Sequence, residues 1–154
     1  MALDIHREVG DRRSQGIHLG NLGDALYHLG RLDEAETALR GAIVVGDETS
    51  PHVAGAFRGS LALLLAHQAQ LGEAWAQLKL GEAQVEGYPE EYAKFLCKKG
   101  HICLSAGRPE EAIEALRRAQ QIAAELSVGA QSQVGRSLEQ LKAGIIQEPA
   151  SSRS

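Results

Sequence analysis

The stretch LGNLGDALYHLGRLDEAETAL, from Leu19 to Leu39, decides the fold of this chain. Its apolar residues recur every three or four positions, which is the spacing of an amphipathic helix. Gly20, Gly23 and Gly30 interrupt it, although an interior glycine costs a helix about 1 kcal/mol against alanine. We therefore expect these glycines to serve close packing or a turn, with Gly30 separating two helices.

Composition and charge favour one all-helical domain. Of the 154 residues, 44% are hydrophobic but only 4% are aromatic, so the core must consist of Leu, Ala, Ile and Val. Abundant Ala and Leu favour helix over sheet. The net charge is -4 with both signs interspersed. No nucleic-acid partner is expected, because such proteins usually carry a basic patch.

The sequence predicts neither a membrane segment nor a secretory leader. The longest apolar run, 61–66, is far shorter than the roughly 18 residues that a membrane span needs. Cys97 and Cys103 lie on one predicted helix and are separated by about 600° of rotation, so no disulfide between them is expected. We predict a cytoplasmic protein with reduced thiols and no membrane partner.

A repeat with steps of 39 and 38 residues organises the chain, and it is clearest in the segments 32–42, 71–81 and 108–119. Four sets of residues follow these steps: Ala35, Ala74 and Ala112; Leu39, Leu78 and Leu116; Ala42, Gly81 and Ala119; and the turn residues Gly30, Ala69 and Gly107. The repeat predicts three antiparallel helix pairs: 13–29 with 32–45, 51–68 with 71–86, and 89–106 with 109–125.

Helix start and stop signals agree with these pairs. Ser50 precedes Pro51 as a predicted N-cap, and Pro89 and Pro109 stand at two further helix starts. Gly30 and Gly107 stand where a helix ends in a left-handed residue.

Small residues in the first helix of each pair predict close packing against the second helix. Gly23, Ala62 and Gly100 lie near the middle of these first helices. We expect each of them to meet the aligned alanine of its partner helix. Gly20 leaves two interpretations open: a packing position, or only a weak point in the helix.

This pattern resembles the tetratricopeptide repeat, a helix-turn-helix unit that stacks into a superhelix. The resemblance covers roughly 13–125 and rests on Leu22, Gly23, Leu26, Ala35, Leu39 and Ala42 in the first unit, Leu61, Ala62, Leu65, Ala74 and Leu78 in the second, and Gly100, Ala112, Leu116 and Ala119 in the third. It implies an all-α fold, a right-handed α-α superhelix of three helix pairs.

The chain departs from the family pattern in three ways. Its period exceeds the usual length of about 34 residues, the usual terminal proline is absent, and Lys99 replaces the leucine before Gly100. Longer-period variants of the family are familiar in bacterial regulators.

A single domain over 1–147 is predicted, with repeats at about 13–49, 50–87 and 88–126. ALDIHREVGD (2–11) matches ALRGAIVVGD (38–47) at five positions, which predicts a half-repeat helix over 1–11. A lone helix of this length is marginal in water. Either it belongs to a longer array, which we favour, or Leu3, Ile5 and Val9 meet another chain.

The C-terminal end predicts a capping helix over 130–147. Val134, Leu138, Leu141 and Ile145 fall on one face of it, and the other face is polar. Residues 148–154 are expected to be disordered.

The chain carries no recognisable catalytic or metal-binding pattern. Cys97 and His101 share a helix face, but two ligands are too few for a structural zinc site. Acidic pairs such as Glu90-Glu91 stand at helix starts, where the helix dipole explains them. We expect neither an enzyme nor a cofactor.

In the family that the chain resembles, the first helix of each pair lines a concave groove. The corresponding positions here are Asp24, Tyr27, His28, Leu63, His67, Lys94, Lys98 and His101. Lys94 and Lys98 lie one turn apart and could together pair with a carboxylate or an acidic peptide. The alternative is an ordinary solvated face.

One subfamily clamps the C-terminal carboxylate of heat-shock chaperones in this groove, and Lys94 and Lys98 match two of its basic residues. However, Gly20 replaces a lysine of the clamp, and Asp24 and Ser60 replace asparagines. Since Asp24 would repel a carboxylate, we do not expect the chaperone clamp.

These observations predict a non-catalytic scaffold that binds a peptide or a partner domain in the groove. The alternative is a sensory fragment of a bacterial regulator that binds a small signal or peptide. An exposed apolar N-terminal end would also allow a homodimer through the N-terminal helix.

Overall fold

The computed structural model describes residues 2–147, with side chains from Arg7 onward. Over this range the chain forms seven helices and no strand: α1 (Ala2–His28), α2 (Leu32–Thr49), α3 (Pro51–His67), α4 (Leu71–Val85), α5 (Pro89–Ser105), α6 (Pro109–Leu126) and α7 (Gln133–Gln147). The predicted disorder of 148–154 lies outside the described residues.

The turn inside each helix pair has the same backbone geometry. Gly30, Ala69 and Gly107 adopt φ values of 79°, 62° and 74°. After α1, the Gly30 amide donates to Tyr27 O and the Arg31 amide donates to Leu26 O, at 3.0 and 2.9 Å. This is the Schellman pattern, which satisfies the last carbonyls of a helix, and it recurs after α3 and α5.

The helix pairs stack in chain order into an all-α solenoid. α1, α3 and α5 pack against α2, α4 and α6, and each later first helix packs on the pair before it. α7 closes the C-terminal end against α5 and α6. Ala35, Ala74 and Ala112 are fully buried, so the predicted small-residue repeat occupies equivalent places in the core.

A glycine and a phenylalanine join consecutive first helices. A Cβ on Gly20 of α1 would lie 2.2 Å from the Phe57 ring of α3. One unit later, a Cβ on Gly59 would lie 2.9 Å from the Phe95 ring of α5. Of the two interpretations left open for Gly20, the structure therefore supports the packing position.

The predicted contacts of the other small residues are only partly correct. Gly23 does face α2, but a Cβ there would first meet Leu39, at 2.7 Å. A Cβ on Gly100 would first meet Leu141 of α7, at 2.6 Å, rather than its own partner helix. Solenoid stacking rather than pairing within the unit therefore fixes the residue size at position 100.

Two further expectations need correction. The predicted separate helix over 1–11 is absent, because α1 continues without a break from Ala2 to His28. Most of its first residues are compatible with a helix, and no proline stands before residue 12 to interrupt it. Ser50 does occupy the N-cap position of α3, but its side chain makes no capping hydrogen bond and lies 3.3 Å from His52 Nδ1 instead.

Candidate functional site

The first helices and α7 enclose a cavity of about 690 Å³, called here the main cavity. It is lined by Tyr27, His28, Leu63, Lys94, Cys97, Lys98, His101, Leu104, Ser105, Ser137, Gln140, Gly144 and Gln147. A second cavity of about 450 Å³ is lined by Asn21, Asp24, His28, Phe57, Lys94, Lys98, Gln133, Arg136, Ser137 and Gln140. Because five residues line both, the two cavities form one continuous depression.

Lys94 and Lys98 project from α5 into both cavities. Lys94 Nζ lies 3.3 Å from Glu91 Oε1 and donates to Gln133 Oε1 on α7, also at 3.3 Å. Lys98 Nζ donates to the buried Ser60 Oγ on α3 at 2.9 Å. Two ammonium groups are thus held one helical turn apart, with neutral groups as their closest partners across the depression.

Burial sets the protonation behaviour of the Lys98 ammonium. Loss of contact with water lowers the pKa of Lys98, and the nearby Asp24 carboxylate opposes this shift. The two side chains form no ion pair within 4 Å in the described structure. An anion entering the depression would therefore meet a poorly solvated positive charge, which has more to gain from a counter-ion than a surface lysine has.

Aromatic and aliphatic groups also line the main cavity. Tyr27 and Leu63 are both partly buried there. The Tyr27 ring meets His28 and His67 edge-on, with centroid distances of 5.5 and 6.1 Å. His67 lines neither cavity and contacts the site only through the Tyr27 ring. Burial raises the pKa of Tyr27, so its hydroxyl stays neutral.

The titratable groups on the cavity floor are unsuited to nucleophilic chemistry. Burial raises the pKa of the Cys97 thiol to about 12, which keeps it protonated. Burial also lowers the pKa of His101, which favours the neutral imidazole. Cys97 and Cys103 are free thiols, as predicted.

No cluster of three or more metal-ligating side chains occurs among the residues whose positions are described. In the same part of the chain, no helix is both long enough and apolar enough to cross a membrane.

The structure brings together seven of the eight predicted groove residues, all except His67. Sequence reasoning missed the wall that α7 supplies, with Ser137, Gln140 and Gly144 on the main cavity and Arg136 on the second. A signal was available: α7 follows three helix pairs and so takes the place of a fourth first helix, the kind that lines the depression.

Two family models described as tetratricopeptide repeat match residues 93–126 and 17–40. The first match spans most of α5 and α6, and the second spans the turn between α1 and α2. No curated protein matches the chain. Repeats of this kind generally mediate protein–protein interaction and are typically non-catalytic. Because both matches lie on helix pairs that stack as a solenoid, these parts of the chain are tetratricopeptide repeats.

Proposed function

We propose that this protein is a non-catalytic scaffold whose main cavity binds an acidic segment of a partner protein. The observation that carries the proposal is the pair of ammonium groups, Lys94 and Lys98, directed into one depression. A carboxylate placed between them would replace the water that burial removes from Lys98. Such charge-assisted hydrogen bonds are about twice as strong as neutral ones.

The rest of the depression supports a peptide that also has an apolar or aromatic residue. Tyr27 and Leu63 offer a partly buried apolar surface in the same cavity as the lysines. Asp24 stands at the edge, in the second cavity only. Asp24 acts on the charge of Lys98, so it would also repel a carboxylate bound there, and a ligand that places its apolar group against Tyr27 in the main cavity, which Asp24 does not line, meets less of that repulsion.

The test is a binding screen with labelled acidic peptides that carry an aromatic or aliphatic residue, measured by fluorescence anisotropy. The double substitution Lys94→Glu and Lys98→Glu should abolish the binding of any peptide that is found. The matched control is Lys79→Glu with Lys142→Glu, which changes the net charge equally at two exposed lysines that line neither cavity.

Equal binding by the groove variant and the wild type would refute the assignment of the site. Equal loss in both double variants would show that overall charge rather than the depression attracts the peptide. Loss in the groove variant alone is the expected result.

A second candidate function is a sensory module that binds a small acidic signal. The cavity volume of about 690 Å³ favours it, because small-molecule sites usually have volumes of about 300–1,000 Å³. Native mass spectrometry of the purified protein distinguishes the two: a co-purifying metabolite supports the sensory role, and a peptide supports the scaffold. A nucleotide-binding or DNA-binding domain in the parent gene would also favour the sensory role.

A further inference from the structure

The second cavity is lined by more positive than negative side chains. Lys94 and Lys98 enter it from α5 and Arg136 enters it from α7, whereas Asp24 supplies the one carboxylate among the lining residues that the structure describes. Three cations and one anion leave a net charge of +2 on the lining, in a chain whose net charge is -4. A cleft lined by one sign of charge raises the local concentration of oppositely charged ligands. The second cavity is therefore suited to an anion that carries more than one charge.

Arg136 is the cation of this group that lacks a carboxylate partner. Lys94 has Glu91 at 3.3 Å, and the Asp24 carboxylate acts on the charge of Lys98. Arg136 is exposed and forms no ion pair with any residue whose side chain is described. It lies in the first turn of α7, which contains no acidic residue and where the helix dipole adds a partial positive charge. Its guanidinium is therefore available to a ligand.

The cations keep enough unused donors to hold an anion with several oxygens. An ammonium group has three N–H donors, and a guanidinium has five in a planar fork. Lys98 uses one of its donors on Ser60, which leaves two for a ligand. Neutral donors line the same cavity, namely the amides of Asn21, Gln133 and Gln140 and the hydroxyl of Ser137.

We propose that the second cavity binds a phosphate group, carried by a phosphorylated serine or threonine of the partner segment. The inference rests on the proposed function, because Lys98 lines both cavities. A phosphate monoester has three acceptor oxygens and a charge of about -1.5 to -2 at pH 7, which matches the charge of the lining. The fork of Arg136 would take two of these oxygens, and the third remains for Lys98. A carboxylate has only two oxygens, so a fork that binds both leaves Lys98 without a separate partner.

The main cavity has room for the segment that carries the phosphate. It has a volume of about 690 Å³ and is continuous with the second cavity of about 450 Å³. Tyr27 and Leu63 line the main cavity only. A phosphate bound beside Arg136 therefore leaves this apolar surface free for a neighbouring residue of the same segment.

The experiment compares three labelled peptide pools by fluorescence anisotropy. The pools have random flanking sequences and carry phosphoserine, glutamate or serine at a fixed central position. The wild type should bind the phosphoserine pool about tenfold or more tightly than the glutamate pool. Arg136→Gln should weaken binding of the phosphoserine pool about tenfold and leave the glutamate pool nearly unchanged, because the carboxylate is held by Lys94 and Lys98.

Arg117→Gln is the matched control. Arg117 is an exposed arginine of α6 that lines neither cavity, so its substitution changes the net charge equally and should leave all three pools unaffected. Circular dichroism confirms that each variant is helical.

Asp24→Asn should strengthen binding of the phosphoserine pool about threefold or more, because it removes the negative charge that repels the phosphate. An increase in affinity cannot result from a loss of fold. This variant therefore tests the location of the phosphate independently of Arg136.

Equal affinity of the wild type for the phosphoserine and glutamate pools would overturn this inference and leave the proposed function intact. Unchanged binding of the phosphoserine pool by Arg136→Gln would also overturn it, as would unchanged binding by Asp24→Asn. If inorganic phosphate bound as tightly as the phosphoserine pool, the assignment to a protein segment would be wrong. If neither anionic pool bound, the proposed function would fail together with this inference.

Discussion

The contact between Gly20 and Phe57 makes the sharpest stability prediction. In Gly20→Ala the added Cβ would lie 2.2 to 2.4 Å from three atoms of the Phe57 ring, whereas carbon atoms in contact are normally about 3.5–4.0 Å apart. Phe57 is only 8% exposed, so its ring cannot move away freely. Overpacking of this kind costs about 1–3 kcal/mol, against a gain of about 1 kcal/mol in helix propensity. We expect the free energy of unfolding to fall by up to about 2 kcal/mol.

Urea unfolding followed by far-UV circular dichroism measures this change, with the fluorescence of Trp75 as a second probe of the transition. Gly72→Ala is the control, because the same substitution there adds helix propensity without a contact and should leave stability unchanged or slightly raised. A second substitution, Phe57→Leu, should cost less in the Gly20→Ala background than in the wild type. If Gly20→Ala and Gly72→Ala have the same effect, the reasoning about close approach is wrong.

Three further substitutions test other parts of the structure. Ala69→Gly should raise the free energy of unfolding by about 1 kcal/mol, because Ala69 has a φ of 62° that costs a side-chain-bearing residue about that much; no change in the urea midpoint would contradict this. Asp47→Ala should lower stability by about 1 kcal/mol, because Arg58 loses two hydrogen bonds of 2.8 Å. Arg58 lowers the pKa of Asp47, so the stability of the wild type should decrease as the pH falls below about 4. If the variant lost stability in acid in the same way, the ion pair between Asp47 and Arg58 would not be the cause. Lys98→Met should abolish anion binding and change stability by less than about 1 kcal/mol, because relief of the buried charge offsets the loss of the hydrogen bond to Ser60. Since the folded-state pKa of Lys98 is lowered, the unfolded chain binds more protons between that pKa and 10.5, and wild-type stability should rise with pH there; thermal unfolding over an alkaline pH series measures this rise, which the variant should lack.

Local signals in the sequence, such as proline and glycine, predicted several helix bounds correctly. The starts of α3, α5 and α6 were predicted to the residue, because proline is favoured only in the first turn of a helix. The turns at Gly30 and Gly107 were correct for a similar reason, since glycine adopts a left-handed backbone at little cost. The prediction of a separate helix over 1–11 was wrong. Similarity between 2–11 and 38–47 does not indicate where a helix begins or ends.

The sequence by itself determined the all-α class and the repeat. Both follow from helical periodicity and from a repeat length that brings Ala35, Ala74 and Ala112 to the same place in each unit. The residues expected at the depression were implied by the family resemblance, and all of them except His67 line one of the two cavities. Only the tertiary structure decided that α7 forms a wall of the site and that Gly100 faces Leu141 rather than its own partner helix. It also decided that Lys98 of α5 donates a hydrogen bond to Ser60 of α3. The physical reason is that periodicity fixes the direction of a side chain relative to its own helix, whereas the neighbour that it meets depends on how separate helices stack.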